Sequence, residues 1–487
     1  MNSSETIKKK LKDVFHFDSF RGDQQAIVEG VLQGQSALVL MPTGMGKSLC
    51  YQLPSTLLAN LTIVVSPLIA LMQDQVDQAM AKGIPAVAIH SGVSKEEREQ
   101  RYRELMAGQH RLLYVTPERF KKLEFLQAIG QRKIDLLAVD EAHCISQWGH
   151  DFRPEYSRLG EIRRQLGSPT TLALTATATL QVQREIQESL GIETAPIFHS
   201  GIRRPNLSLQ VHDIYGLDEK IRGLVGLHFQ NPGATIVYHS LITTLYKVSE
   251  ELSRLGIEHL VYHGQLSAAE RKRQQRLFLS EESSLILATP AFGLGIDKYD
   301  VRLLVHMEVP GSLESYYQEV GRAGRDGKSA QCHLFFDDDD VSIQVEFLKW
   351  ANPEPEFILN VFYLIESAGP KLANDGIDFL RTQMNFYNRR DFRVETSLNL
   401  LERWGAIEPD KSRLGFRAIQ PPAKEFLEAL RVADRPKTMN RKLLSLVEWV
   451  KNTDSCRALR IYEYFAHQDV ACGLCDVCLS QARKADD

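Results

Sequence analysis

Thr43-Gly-Met-Gly-Lys-Ser48 places two glycines, a lysine and a hydroxyl in one short string, a combination suited to holding a polyphosphate. Gly44 and Gly46, with Met45 between them, let backbone N–H groups close around an anion, Lys47 reaches the β- and γ-phosphates, and the Ser48 hydroxyl can hold Mg²⁺. The flanking residues supply the required context. Ala37-Leu-Val-Leu40 reads as a buried parallel strand, and Lys47 to Tyr51 opens a helix whose N-terminus adds its positive dipole end. Met41 stands where the usual G-x-x-x-x-G-K-[ST] string has its first glycine. A second signature, Asp140-Glu-Ala-His143, ends the apolar run Ile134 to Val139, where a parallel strand delivers carboxylates to the edge of a sheet. Asp140 is expected to hold Mg²⁺ and Glu141 to orient or deprotonate a water, with His143 beside them, so the chemistry is hydrolysis of a nucleoside triphosphate. A transition-state cation comes from Gln318-Glu-Val-Gly-Arg-Ala-Gly-Arg325, where Gln318, Arg322 and Arg325 join the candidate catalytic residues. Such a finger is worth about 10³ to 10⁵ in rate, and its distance along the chain implies a second lobe closing on the nucleotide. Two surface arginines at a loop start are the alternative reading of the last string.

Those residues need two sheets to bring them together. Leu61–Pro67, Ala86–His90, Leu112–Pro117, Leu136–Val139 and Thr171–Thr175 read as short strands, each followed by a loop and a helix. From about Asn206 the rhythm restarts with Ala234–Tyr238, Glu258–Tyr262, Leu285–Thr289, Leu303–His306 and Ala330–Phe336. The fold class is α/β: two tandem RecA-like parallel-sheet lobes, expected over residues 1–205 and 206–340, with the signatures at the carboxyl ends of strands. Asp337 to Asp340 reads as a boundary and helix start rather than a metal site.

Residues 341–435 are expected to form a mostly helical, winged-helix-like insert. Three helical patterns, Glu356–Ser367, Asp375–Tyr387 and Val394–Trp404, precede a hairpin of Ala406-Ile407 and Gly415–Ile419. Arg381, Arg389, Arg390 and Arg393 interleave with Phe386, Tyr387 and Phe392, which reads either as a duplex-binding patch or as a solvated helix face over ordinary core. Residues 436–487 end in Cys456, Cys472, Cys475 and Cys478, a C-x₁₅-C-x₂-C-x₂-C spacing that suits a structural Zn²⁺ with four thiolate ligands. Cys50, Cys144 and Cys332 are isolated and read as buried thiols.

Composition adds limits. The 487 residues favour three or more domains, and 43% hydrophobic with 25% charged residues is the make-up of a soluble globular chain. No apolar run spans a bilayer and Met1-Asn-Ser-Ser-Glu-Thr lacks a signal core, so the expected location is cytoplasmic, with no membrane partner. A net charge of −4 means that any nucleic-acid surface must be a local track.

Read in order, Phe20-Arg21-x-x-Gln24, Thr43–Ser48, Val65-Ser-Pro-Leu-Ile-Ala-Leu-Met-Gln-Asp-Gln75, Tyr114-Val-Thr-Pro-Glu118, the whole of Asp140–Tyr156, Leu174-Thr-Ala-Thr-Ala178, Ala291-Phe-Gly-Leu-Gly-Ile-Asp297 and Gln318–Arg325 resemble the RecQ family of ATP-dependent DNA helicases. The resemblance covers nearly all of residues 11–340 and extends to the zinc string. It implies a motor that uses ATP and Mg²⁺, carries Zn²⁺, and separates duplex DNA in the 3′→5′ direction during recombination and repair. Single-stranded and forked or tailed duplex DNA are the implied partners. Gln24 would bond the adenine edge with Arg21 nearby, and Phe17, where the family more often has Tyr, would stack on the ring unless it is plain core. In Ser146–Tyr156, Trp148, Phe152 and Tyr156 surround His150 and Arg153. This resembles the family's aromatic loop, which couples DNA occupancy to hydrolysis by stacking bases, each worth about 1 to 3 kcal/mol. Asp297 reads as a ribose contact or as a sensor of the closing lobes, and Tyr238-His-Ser-Leu241 departs from the family's string. The usual winged helix after the zinc site and the helical accessory domain are expected to be missing, a short form of the family. An RNA-stimulated ATPase and an ATP-gated DNA-binding or annealing module remain the alternatives.

Overall fold

The computed structural model describes residues 4–42, 44–67, 69–130, 132–146, 153, 155–199, 202–281, 284–293, 298–368, 370–385, 391–410, 415–432 and 435–486. The chain divides into two compact units, residues 1–337 with 448–487, and residues 338–447. The first unit contains two parallel sheets. In the first sheet, β1 (Ala37–Leu40), β2 (Leu61–Val65), β3 (Ala86–Ile89), β4 (Leu112–Val115), β5 (Ile134–Val139), β6 (Thr170–Thr175) and β7 (Ile197–His199) lie in the order β3-β4-β2-β5-β6-β1-β7. Every pair is parallel.

The side-chain period of two sorts each strand between two cores. Leu38 and Leu40 of β1 enter one cluster with Phe125, Leu137 and Ile186. Ala37 and Val39 enter the other, covered by Ile7, Leu11 and Phe15 of the helix Ser4–Phe15 and by Ile27 and Val28 of the helix Gln24–Leu32. Both faces being covered, β1, β3 and β4 read as unbroken apolar runs.

In the second sheet, β8 (Leu207–Asp213), β9 (Ala234–Tyr238), β10 (Leu260–Tyr262), β11 (Leu285–Ala288), β12 (Val301–His306) and β13 (Ala330–Phe336) take the order β10-β11-β9-β12-β13-β8, again all parallel. The edge strands β7 and β8 carry no unbroken apolar run, and sequence pattern alone does not reveal them. In β8 buried Leu207 and Leu209 alternate with Ser208 and Gln210, because the polar side chains bind the cysteine-rich segment instead. Ser208 Oγ and Gln210 Nε2 donate to Leu474 O at 2.8 and 3.2 Å, and Val211 N donates to Asp476 Oδ2.

The second unit holds the helices Asp338–Ala351, Pro355–Ala368, Pro370–Asn385 and Arg393–Arg403. The antiparallel hairpin β14 (Ile407–Asp410) and β15 (Gly415–Ala418) follows. Helices and hairpin thus come in the expected order. Ile358, Val361, Phe362, Leu380, Leu398 and Leu401 form its core. The helix expected from Asp375 begins at Pro370 and breaks its helical geometry at Gly376, where φ is 56°. Asp338 to Asp340 occupy the first turn of a helix, where acidic side chains oppose the dipole, although Asp340 is buried rather than solvated. No helix among the described residues is long and apolar enough to cross a membrane.

Candidate nucleotide site and cysteine cluster

Strand order brings three strand ends together. β6 lies between β5 and β1, so the loop after β6 separates the acidic pair from the glycine loop and touches both. Met41 N donates to Thr175 O at 2.9 Å. Gly44 and Gly46 have φ of +81° and +85°, left-handed values that glycine adopts without strain. Thr43 lies outside the described residues.

Behind the loop stands Gln24, buried. Its Nε2 donates to Met45 O at 2.9 Å and to Gly46 O at 3.3 Å, while its Oε1 accepts from Arg21 N at 2.9 Å. The amide expected at an adenine edge braces the glycine loop, and Phe17 is 48% exposed, free of the core. A Cβ on Gly46 would lie 2.6 Å from Gln24 Nε2 in a backbone conformation costly for alanine. Gly46→Ala is accordingly expected to raise the Kd for ATP about tenfold or more, an effect readable by titration with a fluorescent ATP analogue.

The Lys47 ammonium is buried with no hydrogen-bond acceptor, and its Nζ lies 3.8 Å from Glu141 Oε1. A buried ammonium without acceptors is unfavourable by itself and fits a cradle completed by phosphate oxygens. Ser48 ends the loop, and the helix Leu49–Leu57 begins after it.

Asp140 and Glu141 follow β5, with Asp140 N bonded to Val65 O and Asp140 O accepting from the Tyr156 hydroxyl at 3.2 Å. The Asp140 residue keeps some surface in solvent, but protein encloses its carboxyl. That enclosure first, and Glu141 second, push it up to about 6, with Lys47 pulling the other way. Glu141 adopts φ 48° and ψ 48°, a left-handed conformation rare outside glycine, and its buried Oε2 has no hydrogen-bond donor. Two crowded carboxyls, one pushed toward protonation, form a donor set suited to a divalent cation. His143 Nδ1 lies 3.4 Å from Glu141 Oε2 and 2.9 Å from Thr175 Oγ1, whose own hydrogen bonds Thr177 O at 3.1 Å. Thr175 is a site residue to which sequence reading gave no role. The string Leu174–Ala178 marked it, but only the position of β6 places its hydroxyl on His143.

From the second sheet, Arg325 reaches the glycine loop. A Cβ on Gly44 would stand 2.8 Å from Arg325 Cδ. Arg322 is buried beside Gly293, where an added Cβ would lie 2.5 Å from its Nη2. Gln318, partly exposed, sits on the preceding helix Leu313–Val320. That helix is fixed to β12 by His306 Nε2 and Glu319 Oε2, 2.7 Å apart.

Trp148, His150 and Phe152 of the aromatic segment, and Asp297, lie outside the described residues. Arg153 Nη1 donates to Pro67 O at 3.1 Å, tying the segment to the turn after β2. Tyr156 is fully buried and offers no face to a base, which corrects its reading as a stacking ring; its hydroxyl instead supports Asp140. In the insert, Arg381 pairs with Asp378 and Glu395, Arg393 pairs with Asp391, and Phe392 packs against Phe347 and Trp350. These groups are an ion-paired face over core. Phe386, Tyr387, Arg389 and Arg390 lie outside the described residues.

The ligand atoms of Cys456, Cys472, Cys475 and Cys478 all lie within 4.8 Å of one another. Arg457 N and Cys478 N point at Cys475 Sγ, and Cys472 N at Cys456 Sγ. The Cys472 thiol first, then the N–H groups of Cys478 and Arg457, push the Cys475 thiol down to about 5. Four sulfurs, one held toward thiolate by a neighbouring thiol and by backbone donors, fit tetrahedral zinc. Arg457 is buried and fastens the cluster, bonding the Asp476 carboxylate and the Trp449 and Val450 carbonyls. Cys50, Cys144 and Cys332 are buried apart from the cluster, and burial pushes Cys50 and Cys332 up to about 12.

Comparison with known proteins follows the same division. A DEAD/DEAH box helicase family matches residues 21–186, the helicase conserved C-terminal domain residues 218–327, and the RecQ zinc-binding family residues 423–479. The chain is 41% identical over 337 residues to the ATP-dependent DNA helicase RecQ of Haemophilus influenzae, covering 69% of this chain and 54% of that one. It is 41% identical over 336 residues to RecQ of Bacillus subtilis, covering 69% and 56%. With the probable ATP-dependent DNA helicase RecS of Bacillus subtilis it shares 37% identity over 364 residues, 74% of this chain and 73% of the relative. The chain thus spans about half the length of the two RecQ relatives. Among solved structures, S. cerevisiae Dbp5 bound to RNA and ADP BeF3 superposes with a TM-score of 0.57 at 18% identity, covering 70% of this chain and 92% of that one. Mycobacterium smegmatis helicase Lhr bound to ssDNA and AMP-PNP gives 0.55 at 19%, covering 90% and 61%. Both are likenesses of fold.

Proposed function

The chain belongs to the RecQ family of ATP-dependent DNA helicases, and on that premise we propose that it hydrolyses ATP to separate duplex DNA with 3′→5′ polarity, in recombination and repair. The observation that carries this reading is the Arg325 side chain of one sheet lying over Gly44 of the other, because a two-lobe motor requires the triphosphate to be gripped from both sides.

Lys47 and the N–H groups around Gly44 and Gly46 hold the phosphates. Asp140 and Ser48 are the residues that would hold Mg²⁺, which neutralises phosphate charge when bound. Glu141 accepts a proton from, or orients, the attacking water, and His143, held by Thr175, stands against that carboxylate. Arg322 and Arg325 meet charge that grows on the phosphoryl oxygens. Gln24, Arg21 and Phe17 select adenine; Gln24 can shift from the loop carbonyls to the base and so report nucleotide binding to the cradle. Trp148, His150, Phe152 and Arg153 grip single-stranded DNA and couple it to hydrolysis. Zn²⁺ on Cys456, Cys472, Cys475 and Cys478 is structural, since four protein ligands leave no open position. We assign residues 1–205 and 206–340 to the motor, 341–435 to the insert and 436–487 to the zinc module.

Each base-pair step opened costs roughly 1.4 kcal/mol of stacking, so unwinding must depend on hydrolysis. The protein is expected to unwind a 3′-tailed duplex and not a 5′-tailed one, with ATP required and Lys47→Ala inactive, in a gel or fluorescence strand-separation assay. Stimulation of the ATPase by RNA in preference to DNA, or DNA-stimulated hydrolysis without strand separation, would replace the reading by one of its alternatives.

A further inference from the structure

We infer that Arg204 is the positioning residue that shapes the arginine-bearing loop of the second lobe, and that the zinc module holds Arg204 in place through Tyr462. The inference rests on the hydrolytic reading above and adds a residue to it. Arg204 is buried at the entry to the second lobe. Its Nη1 donates to Gly321 O at 3.1 Å, and its Nη2 donates to Ala323 O at 2.6 Å and Gly324 O at 3.1 Å. Those carbonyls bracket Arg322 and immediately precede Arg325. One planar guanidinium therefore collects the backbone of the turn between the two candidate catalytic arginines, a task that matches its fork of donors and that lysine, a single flexible point charge, does not reproduce.

Neighbouring groups tighten the same turn. Asn206 Oδ1 accepts from Arg204 Nε at 3.4 Å, and Asn206 Nδ2 donates to Gly324 O and Lys328 O, both at 2.8 Å. Gly324 is left-handed at φ +55°, and an added Cβ there would lie 2.5 Å from Asn206 Nδ2, so the turn is closed around these donors.

The support continues into the cysteine module. Arg204 N donates to the Tyr462 hydroxyl at 3.2 Å, and Tyr462 sits on the helix Arg457–Tyr464, which begins directly after Cys456. On the other side of the turn, Tyr317 bonds Ile202 O through its hydroxyl and packs on Phe465, with ring centroids 5.4 Å apart. Zinc ligation, Arg204 and the arginine pair thus form one continuous chain of contacts, although no part of the module reaches the glycine loop in that chain.

The test compares the full-length wild type with Arg204→Gln, Arg204→Lys and Tyr462→Phe. It measures zinc content, ATP Kd, affinity for ADP with aluminium fluoride, and kcat for DNA-stimulated hydrolysis. Misplacement of a catalytic group by about 1 Å costs on the order of 10²-fold, so Arg204→Gln is expected to lose about 30- to 100-fold in kcat. The same factor should be lost in affinity for the transition-state mimic, with ATP Kd within about twofold and zinc retained. Arg204→Lys should recover only part of it. Tyr462→Phe, which removes one hydroxyl and leaves the ring, should lose about three- to tenfold in kcat. Wild-type kcat in Arg204→Gln, or equal losses of ATP and mimic affinity in both Arg204→Gln and Tyr462→Phe, would overturn the inference. A wild type without DNA-stimulated hydrolysis would instead remove the functional reading on which it rests.

Discussion

Replacing Arg325 with alanine is expected to lower kcat for ATP hydrolysis by about 10³-fold while the KM for ATP changes no more than a few-fold. The Arg325 side chain overlies Gly44, so its guanidinium adjoins the glycine loop proposed to hold the triphosphate. Charge on the transferred phosphoryl group is spread over its outer oxygens as the bond to the leaving phosphate breaks. A cation placed there strengthens its interaction during the reaction, which lowers the barrier without tightening the ground state. A thousandfold loss corresponds to about 4 kcal/mol, within the range of a fixed guanidinium in a partly dry site. Arg325→Lys should remain far below wild type because one ammonium cannot reproduce the planar fork. Steady-state phosphate release at saturating single-stranded DNA provides the measurement. A kcat within threefold of wild type would remove Arg325 from the catalytic set.

How far the sequence foretells this arrangement depends on whether the determinant is local. The buried strands β1, β2, β5, β9 and β12 are legible because both of their faces are covered and their residues are mostly apolar, with Thr62, Asp135, Thr235, Arg302 and His306 the interruptions. The edge strand β8 is not, since its partner is a carbonyl at Leu474, some 260 residues away, and its sequence alternates for a reason that only the tertiary structure supplies. The same division holds at the site. Gly44, Gly46, Lys47, Asp140 and Glu141 announce themselves because strand-to-turn chemistry demands those residue types at those spacings. Gln24 is visible as a motif residue, but its bonds to Met45 O and Gly46 O depend on how one helix packs beside the loop. Thr175 and Arg204 are ordinary residues in sequence. Their positions follow from strand order in one case and from the docking of a distant module in the other. Tyr156 errs in the opposite direction. A run of rings and charges reads as a binding surface, yet this ring packs into the apolar core, where the Asp140 carbonyl satisfies its hydroxyl.

Cys475→Ser is expected to abolish stoichiometric zinc binding and to lower the thermal midpoint of unfolding by about 10 °C or more. Cys475 is fully buried, and two backbone N–H groups converge on its sulfur, so a serine oxygen there is both a poorer ligand and too short to reach its place. Structural zinc contributes about 10–16 kcal/mol of apparent binding free energy in small modules, far more than the few buried side chains of residues 456–478 supply, so this segment should lose its fold when the ion is lost. The damage should spread along named contacts. Trp449 packs on Tyr316 with ring centroids 4.7 Å apart, Phe465 packs on Tyr317, and Leu474 O accepts from Ser208 and Gln210 on β8. Amide exchange should therefore accelerate over residues 207–213 and 313–320 in the variant and leave the first sheet protected. Cys50→Ser, at a buried thiol outside the cluster, is the matched control and should retain zinc. If Cys475→Ser kept about one zinc per chain and an unchanged midpoint, Cys475 would not be a zinc ligand and the support of the arginine-bearing loop would have to arise from packing alone.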